Sequence, residues 1–192
     1  MKMLYDLAKK RKTVRRFKKE KPPLEDLIYS LKVANEAPSG MNAQPWRFLI
    51  VEDEKLKGQI RRVCERSEKT FYENVRGRLK EWLDEKRFTW RKPFLKEAPY
   101  LLLVFSEKSA PYSRESVWLA VGYLLLALEE KGLGSVPYTP PDFREVEKLV
   151  NTPSELRLEV ILPVGYPDDP KPKYPRNEVI VRYNTFHHHH HH

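Results

Sequence analysis

The 192-residue chain predicts an α+β fold on three observations. Segments with the 3.6-residue apolar period of helices interleave with short apolar runs of strand length. The two kinds of segment do not follow the strict βαβ alternation of parallel-sheet folds. No glycine-rich phosphate loop of the GxGxxG or GxxxxGK type occurs, so any nucleotide must be held in some other way. Neither a repeat nor a Gly/Ser linker marks a boundary, and the length suits one domain over residues 1–186, followed by a purification tag at His187 to His192.

Along the chain, a helix is predicted over 22–36. Pro22 and Pro23 suit its start, Glu25 and Asp26 its first turn, and Leu24, Leu27, Ile28, Leu31 and Ala34 form one apolar stripe that ends before Pro38. Residues 47–51 read as a strand. The polar stretch 53–92 is predicted to be mostly helical, because Phe71, Val75, Leu79 and Trp82 recur at helical spacing. Residues 100–105 are continuously apolar and of strand length, which argues for burial on both faces. A second strong helix, 115–130, is apolar nearly all round, hence central, and stops at Gly132 and Gly134. A helix near 142–150, a strand over 156–162 and a Pro-rich tail over 163–175 follow. Val179, Ile180, Val181 and Tyr183 form a β-prone end with no local partner.

Composition narrows the chemistry. Every histidine lies in the tag, which removes histidine triads, histidine metal sites and imidazole acid/base catalysis. Cys64 is the only cysteine, so there is no intrachain disulfide and a reducing, cytoplasmic compartment is expected. The longest apolar run, 117–128, is well short of the roughly 20 residues that span a bilayer, and the opening MKMLYDLAKK lacks the apolar core of a signal peptide. With 33% charged residues and few glutamines, the composition leans towards a thermophile. The net charge of +9 at first suggests an anionic partner such as a nucleic acid. Residues 9–21 alone, however, hold nine positive charges and one negative, so the rest of the chain is close to neutral and the basic character is one strap.

Two segments could carry chemistry. In RKTVRRF, residues 11–17, Arg11 and Arg15 are four apart with Thr13 between them, so two guanidiniums and a hydroxyl could converge on a phosphate; a solvated basic segment is the plainer reading. In APSGMNAQPWRF, residues 37–48, Pro, Ser, Gly and Asn crowd a helix-to-strand connection. Its exposed backbone N–H groups could grip a polar ligand, or it could be an ordinary turn.

In this order the two segments resemble the signature of the FMN-dependent nitroreductase superfamily: Arg11, Thr13 and Arg15, then a helix, then Pro38, Ser39, Asn42, Gln44, Pro45 and Trp46 entering a strand. The likeness runs on through EEKGLGSVPYTP and LPVGYP to Arg176. Within the superfamily it is greatest to the iodotyrosine deiodinases, through KPFLKEAPYLLLVF, SVPYTPPDF and a lid helix offering Glu68, Tyr72 and, further on, Lys92. The resemblance implies a nitroreductase-like fold, with a central mixed or antiparallel sheet flanked by helices, an intertwined homodimer and a helical lid at about 60–92. It implies FMN with its phosphate on Arg11, Arg15 and Arg176, assisted by Lys12 and Thr13. Pro38, Ser39, Gly40 and Asn42 would touch the flavin held mainly by the other subunit. Pro137, Tyr138 and Thr139 would lie along the flavin, with Thr139 as the catalytic hydroxyl at N5, favouring one-electron steps.

The implied activity is reductive dehalogenation of halotyrosines, with the backbone N–H of Met41 near the phenolate. Physical logic supports the lid trio apart from any family. A free amino acid is a zwitterion, so selecting it needs an anion for the ammonium, a cation for the carboxylate and an aromatic cover; solvated surface charges are the alternative. Two other readings stand beside this one. One is a nitroreductase or flavin reductase that takes hydride from NAD(P)H and would not need the trio. The other is a basic nucleic-acid-binding module, disfavoured because the aromatics in general are not interleaved with the basic residues and no stacking motif of an RNA-recognition sheet is present.

Overall fold

The computed structural model describes residues 3–186; the tag at His187 to His192 lies outside the described residues. In chain order the elements are α1 (Met3–Lys10), α2 (Leu24–Ala34), β1 (Trp46–Val51), α3 (Glu54–Asn74), α4 (Gly77–Glu85), α5 (Phe94–Glu97), β2 (Tyr100–Glu107), α6 (Ser113–Glu130), β3 (Gly134–Ser135), α7 (Arg144–Leu149) and β4 (Leu156–Gly165). The four strands form an antiparallel sheet in the order β1-β2-β4-β3. The predicted α+β class with helices on both faces is what is found.

The sheet divides the core in two because strand side chains alternate between faces. Leu101, Leu103 and Phe105 of β2, with Leu158 and Ile161 of β4, pack against Ile60 and Cys64 of α3, Leu95 of α5 and Val146 of α7. Leu102 and Val104, with Val160 and Leu162, face Leu27 of α2 and Val117 and Leu124 of α6. Burial on both faces explains the unbroken apolar run in β2.

Four local differences from the sequence expectation have physical reasons. The helical stretch 53–92 breaks after Asn74, where Val75 and Arg76 are extended and Gly77 takes a φ of +75°. β4 continues through Pro163 to Gly165, since β3 pairs only with Val164 and Gly165 and no ladder bond is lost to the proline. Residues 179–183 form no strand and lie exposed, Val179 at 85% and Ile180 at 79%. Helix α6 is not covered all round, because Trp118, Leu119 and Tyr123 face outward.

The basic strap runs along the edge of the sheet. Thr13 bridges to Ser135, the Val14 N–H donates to the Ser135 carbonyl at 2.9 Å, and Phe17 bridges to Pro167. Gly134 permits this approach: a Cβ there would meet Val14 Cγ2 at 2.7 Å. None of the described helices is long and apolar enough to cross a membrane.

Candidate active site

A cavity of about 560 Å3 lies between the strap, residues 136–139, and a cover made by the C-terminal half of α3, α4 and the loop after it. Asp53 caps the start of α3, accepting from the Leu56 N–H at 2.8 Å. Ile60 and Cys64 are fully buried, so the first half of α3 is core and only its second half overhangs the cavity. Glu68 and Tyr72 sit one turn apart on that half and both line the cavity. Lys92 reaches the same place from the loop. Its Nζ is 3.4 Å from Glu68 Oε2 and 5.4 Å from the centre of the Tyr72 ring. The Lys92 N–H donates to Glu65 Oε2 at 2.7 Å, which fixes the loop to α3. The structure therefore brings the three predicted lid residues together.

Burial governs their ionisation. It raises the Glu68 carboxyl above its ordinary value against the pull of Lys92, and lowers the Lys92 ammonium against the pull of Glu68. The Tyr72 phenol is raised by burial and by the Glu68 charge, with Arg15 opposing. The ion pair alone does not fully compensate its two charges, which leaves an electrostatic demand for further partners.

Thr139 is exposed on the cavity wall beside Pro137. Tyr138 between them is pinned by two backbone hydrogen bonds with Ile161, at 2.9 and 2.8 Å. Its ring packs edge-on to Phe94 in the core. Burial pushes the Cys64 thiol up to about 12, so at neutral pH it is a packing group and not a nucleophile.

A second, small pocket of about 50 Å3 adjoins the first and shares Arg15 and Lys171 with it. Arg11, Thr13, Lys173 and Arg176 complete its polar lining. Arg11 is held below the usual guanidinium range by burial and then by the charge of Arg176; burial, Arg11 and Arg176 lower Lys173 in the same way. Such crowding of like charges is the electrostatic signature of a place for an anion. Lys12 lies elsewhere: its Nζ donates to the Asp169 carbonyl at 2.8 Å and to the Lys171 carbonyl at 2.5 Å, holding the Pro-rich tail to the strap. Asp169 Oδ2 accepts from the Arg15 N–H at 2.9 Å and adds a second tie. Sequence reasoning missed Lys171 and Lys173. Their alternation with prolines in DDPKPKYP was the available signal, because a stiff segment carrying regularly spaced cations suits an anion site.

The turn over 38–44 lines neither pocket. Met41, Asn42 and Gln44 all have left-handed φ, near 53, 52 and 47°, a strain that persists only where the surroundings impose it. Ser39 Oγ accepts from the Gln44 N–H at 2.9 Å. Gly40 lies so close to the Tyr112 ring that a Cβ would meet Cδ2 at 2.8 Å. Met41 is 89% exposed. Within one chain, Pro38, Ser39, Gly40, Met41 and Asn42 are thus gathered with each other but not with the cavity.

A family model for the nitroreductase family matches residues 8–166. The chain belongs to the nitroreductase family. Among curated relatives, the iodotyrosine deiodinase of Haliscomenobacter hydrossis is 36% identical over 177 residues, covering 85% of this chain and 78% of that protein. Iodotyrosine deiodinase 1 of Mus musculus is 37% identical over 85% of this chain, which spans only 61% of the mouse protein's length. In fold, the chain is similar to a nitroreductase with bound FMN from Desulfitobacterium hafniense, with a TM-score of 0.75 at 19% identity over 95% of this chain and 98% of that one. A BluB-like flavoprotein from Clostridium difficile matches with a TM-score of 0.73 at 26% identity over 92% of this chain and 94% of that one.

Proposed function

We propose that this nitroreductase-family chain is an FMN-dependent oxidoreductase that removes halogen reductively from halotyrosines. The observation that carries the reading is the meeting of Glu68, Tyr72 and Lys92 over a cavity that opens onto a pocket of crowded cations. The residues present fit FMN. Its phosphate suits the small pocket, where a dianion would relieve the repulsion among Arg11, Arg176 and Lys173, and Arg11, Thr13, Arg15 and Arg176 would hold it. The flavin, when bound, supplies the redox chemistry.

The protein's own residues bind, orient and exclude water. Glu68 takes the substrate ammonium and Lys92 the carboxylate, each gaining the compensation that burial now denies it. Tyr72 flanks the same group, and closure of the overhanging half of α3 with α4 shuts out water. Thr139 presents a hydroxyl from the cavity wall. The Met41 N–H, with Pro38, Ser39, Gly40 and Asn42, serves the site of a second copy, because the turn is exposed and remote from its own cavity. Homodimerisation is therefore part of the reading. The single buried cysteine suits a cytoplasmic setting.

The net change replaces carbon–iodine by carbon–hydrogen, consuming two electrons and one proton and releasing iodide. The test is to load the chain with FMN, reduce it anaerobically with dithionite and add 3-iodotyrosine. Iodide and tyrosine should form in equal amounts. If no iodide appears while NAD(P)H-driven reduction of a nitroaromatic proceeds, the chain is a nitroreductase in activity as well as in fold.

A further inference from the structure

The basic strap and the Pro-rich tail meet where the two pockets adjoin, and Arg15 of the one and Lys171 of the other line both pockets. The two segments run antiparallel. The Lys18 N–H donates to the Tyr166 carbonyl and the Asp168 N–H to the Arg16 carbonyl, each at 2.9 Å. In that register the next donor from the tail would be residue 170, which is a proline and has no N–H. The backbone ladder therefore stops just before the shared cations, and a side chain takes over. Asp169 Oδ2 accepts from the Arg15 N–H at 2.9 Å, and its Oδ1 accepts from the Lys171 N–H at 3.0 Å. Burial alone would raise this carboxyl, but the two N–H groups and then the charges of Lys12 and Lys171 hold it below its ordinary value, so it is ionised at neutral pH.

A carboxylate bonded to the backbones of two cationic residues beside an anion pocket has two opposed effects. Its charge repels an incoming phosphate. Its two hydrogen bonds, each to a charged acceptor and so among the stronger kind, hold the two backbones at a fixed separation across a junction that joins residues 154 positions apart. We propose that Asp169 is a positioning residue for the cofactor phosphate: it sets Arg15 and Lys171 so that both side chains meet one dianion, and this arrangement outweighs the repulsion of its own charge. The inference rests on the FMN reading and adds to it a residue that acts through two others.

The sign of one change decides the matter. Asp169→Asn removes the charge and leaves one of the two N–H groups facing a donor. If the carboxylate acted by charge alone, the variant would bind FMN more tightly than wild type. Positioning requires the opposite: FMN affinity, followed by quenching of flavin fluorescence, should fall about tenfold, the scale of one hydrogen bond to a charged group. Asp169→Glu keeps the charge but displaces it by one methylene, and should weaken FMN likewise. Riboflavin, which has the same ring system without the phosphate, should bind wild type and both variants alike. Lys171→Met should weaken FMN as well, and combined with Asp169→Asn it should cost less than the two single losses multiplied, because a side chain no longer held in place has little left to contribute. FMN affinity of Asp169→Asn equal to or above that of wild type overturns the proposal, as does an equal loss for riboflavin or a pair of losses that simply multiply; each leaves the FMN reading intact. A wild-type chain that takes up no FMN overturns both.

Discussion

At the scale of single residues, the decisive pair is Glu68 with Lys92. Their contact at 3.4 Å does not restore either group to its ordinary ionisation, because burial is the larger influence on both. Binding a zwitterion needs the carboxylate and the ammonium charged, and burial works against each. The carboxyl, raised above 4.5, begins to take up protons at a higher pH than a free glutamate, and the ammonium, lowered below 10.5, loses its proton earlier than a free lysine. Iodotyrosine affinity, followed by quenching of flavin fluorescence, should therefore be greatest between those two limits and fall on the acid side at a pH above 4.5. Glu68→Gln should weaken binding at neutral pH by about tenfold or more, the scale of one lost charged hydrogen bond, and should flatten the acid limb. A variant that keeps both affinity and limb would place ammonium recognition elsewhere. That trio was legible only through the resemblance to the iodotyrosine deiodinases, since helical spacing alone left Glu68 and Tyr72 as solvated surface residues. The approach of the tail to Arg15 was not legible, since the bond that brings it there joins residues 154 positions apart.

At the scale of elements, the position of the lid loop is set from below by a buried lysine. Lys57 of α3 is 1% exposed, and its ammonium donates to the carbonyls of Ala98 at 2.8 Å and Lys96 at 3.2 Å. These groups close α5, the short helix that begins just after Lys92, so one side chain ties the start of α3 to the end of the loop. Lys57→Met would leave those carbonyls buried without a donor and should cost about 2–3 kcal/mol, read as a lower urea midpoint. A variant as stable as wild type would mean that desolvating the ammonium costs as much as its bonds return. The elements that the sequence foretold, α2, β1, the helical stretch of α3 and α4, β2, α6, α7 and β4, all place at least one buried residue. Helix α1 escaped notice because Met3, Leu4 and Tyr5 stay exposed and none of its described residues is buried. Strand β3 is two residues long and is held between the end of β4 and the strap. The break after Asn74 interrupts a period that looked continuous, and only Gly77 hinted at it.

At the scale of the whole molecule, the proposed homodimer needs an interface, and the exposed apolar residues of α2 and α6 offer one. Leu24 and Ile28 of α2, Trp118, Leu119 and Tyr123 of α6 and the tail residues Val179, Ile180 and Val181 are all exposed, which makes α2 and α6 the candidate face. The strained turn at 38–44 follows α2 and is braced by Tyr112, the residue that precedes α6. A second copy docked on the α2–α6 face would thus bring that turn with it, and twofold symmetry would complete both sites at once. Leu119→Asp places an unpaired charge in such an interface and leaves the buried core of α6 untouched. Light scattering should then report a mass near one chain where the wild type gives two, and FMN affinity should drop about tenfold or more, since desolvating an unpaired charge opposes assembly by several kcal/mol. If Leu119→Asp becomes monomeric yet keeps full FMN affinity, the turn at 38–44 serves no partner, and its strain must be explained within its own chain. If it stays dimeric, the interface lies on another face and the exposed tail is the next surface to alter.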